Sequence, residues 1–143
     1  MNNKKGFTII ELLVVVAIIS LLAGTIMISL TATRKKARDS ARKTDLNQIS
    51  LTLEDYYDDQ SPNKYVASAT EVNLNGTDDV LTIALTPDYI KSIPVDSQAP
   101  NQYYHYQSSN NDLDYRLEAI LENINDGQGQ ADGSTWIFVI TSD

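Results

Sequence analysis

Glu11 is the residue whose surroundings most demand a chemical explanation. It stands at the head of LLVVVAIISLLAGTIMISL, Leu12–Leu30, nineteen residues without a charge. A carboxylate at the edge of so apolar a stretch is costly in lipid, and an ionisable group there is a functional candidate by default. The residues before it are Lys4-Lys5-Gly6-Phe7-Thr8-Ile9-Ile10. A cut after Gly6 would give Phe7 a free α-ammonium within one helical turn of Glu11. The same amine on a neighbouring copy, one register along, could equally take that place. Pairing acid with amine leaves neither charge alone in an apolar medium. The plainer alternative is an interfacial glutamate in a single-pass anchor with no partner.

Other residue types able to do chemistry are sparse. With no cysteine, disulfide frameworks, thiolate zinc sites and Cys nucleophiles are excluded. His105 is the lone histidine and, flanked by tyrosines, reads as an ordinary packed or surface residue. No Gly-rich phosphate loop and no G-x-S-x-G elbow occurs. The acid pairs Asp58/Asp59 and Asp78/Asp79 have no partner suited to acid–base work and read as solubilising. The chain is therefore read as non-enzymatic.

Charge divides the 143 residues in two. Residues 1–43 carry eight Lys/Arg against two acids, whereas residues 44–143 carry three against seventeen, within a total of −8. Such asymmetry points to a membrane or interaction segment joined to a solvated domain. The acidic part lacks the clustered Lys/Arg that binding to phosphates needs, so no nucleic-acid partner is expected.

At 1.5 Å per residue, Leu12–Leu30 spans roughly 28 Å, about the thickness of a bilayer's hydrocarbon. The run is longer than a signal-peptide core and is followed by no clear A-x-A site, so it is expected to stay with the mature protein. Lys4 and Lys5 favour a cytoplasmic N-terminus. The basic cluster Arg34–Lys43 on the other flank reads as snorkelling anchors at the lipid surface. Residues 31–59 hold no Pro or Gly. A helix from Phe7 to Asp59 would be roughly 80 Å long by the same rise, stopped by Ser61-Pro62-Asn63. Ala37, Ala41, Leu46, Ile49, Leu53 and Tyr56 or Tyr57 form an imperfect apolar stripe, opposite Lys36, Arg38, Lys43, Asp55 and Asp59.

The acidic remainder reads as short elements. Asp79–Leu85 suits a short helix or strand ended by Thr86-Pro87. Asn75-Gly76 is a tight-turn signal, and Asn75-Gly76-Thr77 also matches an N-x-T glycan acceptor, the weaker reading. Tyr103–Tyr106, the alternating Tyr115–Leu121 and Trp136–Ile140 are expected strands. Eight tyrosines are read as packing in a small core without disulfides. The fold class is α+β, a long N-terminal helix packed against a small antiparallel sheet.

Lys-Lys-Gly-Phe-Thr-x-x-Glu followed by an apolar run resembles the class III leader of type IV pilins and type II secretion pseudopilins. The resemblance implies cleavage by a prepilin peptidase between Gly6 and Phe7, N-methylation of Phe7, and an assembly role for Glu11 against the N-terminus of an adjacent subunit. It departs in one respect: many pilins carry a proline late in the run, and this chain has Gly24 and no proline there. Ser92-Ile93-Pro94-Val95-Asp96, Tyr103-x-x-Tyr106 and Tyr115-x-Leu117-x-Ala119-x-Leu121-Glu122-Asn123 are similar to the major pseudopilin of type II secretion. That likeness implies calcium in a C-terminal Asp/Gly loop, with Asp126 and Asp132 as candidate ligands beside Asn125 and backbone carbonyls. Calcium wants six to eight oxygens, and the spacing fits no EF-hand.

The expectation is a leader (1–6), a transmembrane and polymerisation half-helix (7–30), an amphipathic half-helix (31–60) and a small acidic domain (61–143). The implied function is a structural subunit of a type IV pilus-like filament or a type II secretion pseudopilus. Its expected partners are the peptidase, the membrane through residues 7–30, copies of itself, and minor pilins or pseudopilins. It would sit first in the bacterial cytoplasmic membrane as a single-pass precursor and then in a filament outside it. The rival is a monomeric single-pass protein displaying a small ligand- or calcium-binding domain.

Overall fold

The structure, a computed structural model, describes residues 6–142 and, within them, all side chains but those of 25–29. Lys4 and Lys5, with the orientation they signal, lie outside the described residues. The chain forms two compact units, Met1–Lys35 and Lys36–Asp143. One helix, α1 (Ile9–Asp59), contributes to both.

The helix α1 begins two residues later than expected because Thr8 takes the capping position. The Thr8 hydroxyl accepts from the Glu11 amide at 3.3 Å, and Glu11 Oε2 accepts from the Thr8 amide at 2.9 Å and the Thr8 hydroxyl at 2.7 Å. This reciprocal Thr-x-x-Glu capping box satisfies helix-end donors that would otherwise be bare. The other end falls at Asp59, just before Ser61-Pro62, where a proline cannot continue the hydrogen-bond ladder.

In the first unit every described side chain is exposed. In the second, α1 lies under a five-stranded antiparallel sheet of order β1-β2-β3-β5-β4. The strands are β1 (Val72–Leu74), β2 (Tyr104–Ser109), β3 (Asp114–Leu121), β4 (Gln130–Asp132) and β5 (Thr135–Thr141). Their register places Tyr106 beside Leu117 and Ala119 beside Phe138 on the helix-facing side. Leu46, Ile49 and Leu53, at spacings of three and four, are fully buried there. They pack with Tyr104, Tyr106, Leu117 and Ala119, and with Leu81 and Leu85 of a short helix α2 (Val80–Leu85). Each such aliphatic side chain contributes about 1.5–3 kcal/mol on burial.

The stripe on α1 differs from its expected course. Ala37 and Ala41 are exposed, and the face running down from Leu46 continues instead through Arg42 and Asp39, each 1% exposed. Spacing held while residue type changed. Asp79 is likewise no solubilising acid: it is buried and caps α2, its carboxylate accepting from the Thr82 amide at 2.9 Å and the Thr82 hydroxyl at 2.8 Å. That cap decides between helix and strand for Val80–Leu85.

Most of the tyrosines do pack, and several anchor their hydroxyls. Tyr104 donates to Asp45 at 2.6 Å, Tyr65 to Glu54 at 2.8 Å and Tyr106 to the Val66 carbonyl at 2.6 Å. Burial, then the helix carboxylate that accepts from it, pushes the pKa of Tyr104 and of Tyr65 above the usual phenol value.

Candidate functional site

The N-terminal site consists of Gly6, Phe7, Thr8 and Glu11 at the head of α1. Gly6 and Phe7 precede the helix and are exposed, Phe7 to 81%. Glu11 commits one oxygen to the capping box; its Oε1 has no hydrogen bond among the described residues. Beyond it, Leu12 to Gly24 is apolar around the whole helix and exposed on all sides, for example Ile18 at 52% and Leu21 at 73%. A helix hydrophobic all round belongs inside a larger assembly or a membrane. Among the described residues no helix is long and apolar enough to cross a membrane. The run Leu12–Leu30 passes through 25–29, whose side chains lie outside the described set, so its continuously described part is Leu12 to Gly24.

In the second unit the structure gathers residues that sequence reasoning did not connect. Arg42 is clasped by four side chains. Its Nε lies 2.6 Å from Asp96 Oδ2, Nη1 2.7 Å from Asp39 Oδ1 and 3.2 Å from Glu122 Oε1, and Nη2 2.7 Å from Gln98 Oε1. Arg38 forks onto Glu122 at 2.6 and 2.7 Å. Asp39 also accepts from the backbone amides of Glu122 and Asn123, at 3.0 and 2.9 Å. Burial works against the Arg42 charge, but Asp96 and then Asp39 outweigh it and hold its pKa above the ordinary arginine value. The hydrogen bonds from Arg38 hold the Glu122 carboxyl below the usual range. Arg38, Arg42 and Lys43 are therefore not lipid-surface anchors: their charges are spent within the unit. The signal available in sequence was indirect. Asp96 and Glu122-Asn123 end two of the pseudopilin-like blocks, and both blocks meet on α1 at this clasp.

The expected calcium ligands are placed apart in role. Both Asp126 oxygens lie 2.6 Å from Lys43 Nζ, and Oδ1 also accepts from the Gln128 amide. Lys43, then that amide, lowers the Asp126 pKa. Asp132 sits in the edge strand β4, its side chain 61% exposed and 4.0 Å from Arg116. Among the described residues no group of three or more His, Asp or Glu is placed to hold a metal ion. A carboxylate already neutralised by an ammonium does not fit a calcium site, which needs several uncommitted oxygens. Gly129 of this loop has a packing reason instead. A Cβ on Gly129 would collide with the Trp136 indole, whose Nε1 donates to the Asp126 carbonyl at 3.2 Å. His105 is half-buried, with Nδ1 3.4 Å from Glu71.

The chain matches the prokaryotic N-terminal methylation motif over residues 1–27. Over 86 residues it is 37% identical to the type IV wide pilus major component PilA4 of Thermus thermophilus. Both findings support the type IV pilin family. The pilin-like match takes in 59% of this chain and 66% of that relative, just under two thirds of the relative's length. No solved structure matches. The pilin-like fold is nonetheless plain in the structure itself, a long N-terminal helix with an antiparallel sheet over its second half.

Proposed function

We propose that the chain is the precursor of a filament subunit, cut between Gly6 and Phe7 by a prepilin peptidase, methylated at Phe7, held in the cytoplasmic membrane through residues 7–30 and then polymerised through α1. The observation that carries this reading is the apolar helical stretch from Leu12, exposed on every side and headed by a capped glutamate with one free oxygen. Cutting after Gly6 leaves the Phe7–Thr8 peptide intact, so the capping box survives processing. Glu11 Oε1 then remains to accept the Phe7 ammonium of a neighbouring copy. Contact of this head-to-tail kind is heterologous and need not close, as a fibre requires.

Of the two filament types, the relative's printed name favours a surface pilus over a secretion pseudopilus. The test is intact mass and N-terminal sequencing of the mature protein, with electron microscopy of the cells. A chain starting at methylated Phe7, with surface fibres lost in Glu11→Ala, is expected. Retention of residues 1–6 in cells holding the peptidase would sink the proposal, and normal fibres from Glu11→Ala would overturn the assembly role of Glu11. A chain that forms no fibres and is unchanged by Glu11→Ala would favour the monomeric single-pass rival.

A further inference from the structure

The junction between β1 and α2 uses Asn75-Gly76, and the structure explains why neither residue is easily replaced. Gly76 has φ +73°, and a Cβ there would stand 2.5 Å from Val95 Cγ2. The position thus demands glycine both for its backbone and for its space. Asn75 is tied just as firmly. Its Oδ1 accepts from the Thr77 amide and hydroxyl, both at 2.9 Å, and from the Asp78 amide at 3.2 Å, while Nδ2 donates to Asp78 Oδ1 at 2.6 Å. Asp79 Oδ2 binds the amides of Asn75 and Gly76 at 3.0 and 2.8 Å. The N-x-T glycan reading meets the same obstacle, since the amide nitrogen that would carry a sugar is already a donor.

Asn-Gly is also the dipeptide best suited to spontaneous deamidation, because glycine offers no side chain to hinder attack by its own amide nitrogen. We propose that Asn75 is a latent deamidation site which the folded junction keeps closed. In the reaction Gly76 N loses its proton and bonds to Asn75 Cγ. The Cγ–Nδ2 bond breaks, ammonia leaves with a proton, and a cyclic imide forms. Water then opens the ring to aspartate or isoaspartate. No oxidant or cofactor is needed. In the fold the nucleophile is held by Asp79, and the amide plane is held by Thr77 and Asp78, so attack waits on local opening. The product is self-reinforcing: a new carboxylate faces Asp78 and Asp79, and isoaspartate lengthens the backbone where α2 must be capped. Deamidation at Asn75 therefore records how often this junction opens.

The experiment incubates the full-length chain in detergent at mildly alkaline pH, folded and in urea, and maps Asp and isoAsp at position 75 by peptide mass spectrometry. Conversion in the folded wild type is expected to be at least about tenfold slower than in urea, as an opening equilibrium demands. Thr77→Val, an exposed change confirmed folded by circular dichroism, should speed conversion several-fold without altering the rate in urea. Asp79→Asn should speed it further. Equal rates for folded and unfolded wild type, or a folded Thr77→Val chain that converts no faster than wild type, overturns the proposal.

Discussion

The two ends of α1 solve opposite problems with the same local structure. From Leu12 to Gly24 the helix is apolar all round and buries none of that surface within the chain. From Asp39 to Leu53 it presents one face, Asp39, Arg42, Leu46, Ile49 and Leu53, and all five are buried. The first stretch has no sidedness, as it would need none if its surroundings are the proposed lipid or sister helices, which approach from every direction. The second is one-sided because a single sheet covers it. Amphipathicity here reports how many directions a helix must satisfy, rather than how strongly it is held.

The sharpest way to break that contrast is a charge in the all-round stretch. On the proposed function, Ile18→Asp should abolish filaments and deplete the membrane-inserted precursor, because an aspartate near the centre of a spanning helix costs about 2.5–3.5 kcal/mol in insertion alone. The thermal unfolding of the second unit should stay at its wild-type midpoint. Calorimetry beside electron microscopy checks both halves of the statement, and a lowered midpoint would show that the stretch supports the head's own fold.

The one-sided stretch breaks at Arg42. Replacing it by methionine keeps most of the volume but leaves Asp39 and Asp96 buried without their cation, at a cost of about 3–5 kcal/mol. A domain of ordinary stability holds only about 5–15 kcal/mol in all, so Arg42→Met should move the urea midpoint far down or prevent folding. A shift under about 1 kcal/mol, the scale of an exposed pair, would mean that the clasp is solvated in solution.

Much of this was readable in the sequence, for physical reasons that also mark where reading stopped. The helix showed itself by what it lacks, with no Pro or Gly from 31 to 59, and β3 by its alternation. The Gly6-Phe7-Thr8-x-x-Glu11 pattern is local, so its residues are neighbours in any helix. Even so, Thr8-x-x-Glu11 spells a capping box, and that reading was missed beside the membrane argument. Arg42 was misread because a search for apolar spacing passes over charges, although 39, 42, 46, 49 and 53 keep the helical rhythm. Asp39 is a helical neighbour of Arg42, but the partners Asp96 and Glu122 lie 54 and 80 residues away in the chain, beyond any local signal. Strands β1 and β4 have three residues each, too few to show a period. Their existence follows from the edges of β2 and β5 that they cover.

The smallest expected effect sets two glutamates, one within β3 and one just past its end, against each other. Glu122 follows the last residue of β3 and meets α1 through Arg38, whose hydrogen bonds lower its pKa. Glu118 lies on the outer face of β3, 9% exposed, opposite His105. Arg116 Nη2 is 2.6 Å from its Oε2, too poorly aligned to count as a hydrogen bond, and burial outweighs that attraction and raises the pKa. A depressed folded pKa gives stability that is present above the unfolded value and is lost as pH falls through the folded one. A folded pKa raised by burial works the other way, so ionised Glu118 costs stability above its folded pKa, and that cost fades below the unfolded value. Urea unfolding should therefore find Glu122→Gln less stable than wild type near about pH 7, with the gap closing in acid. Glu118→Gln should be more stable at neutral pH, by about 1 kcal/mol or less because half-exposed Arg116 loses little with its partner, and this gap should also close in acid. Two changes of the same sign at neutral pH would show that the outer face of the sheet is as wet as its ends, and that Arg116 rather than burial governs Glu118.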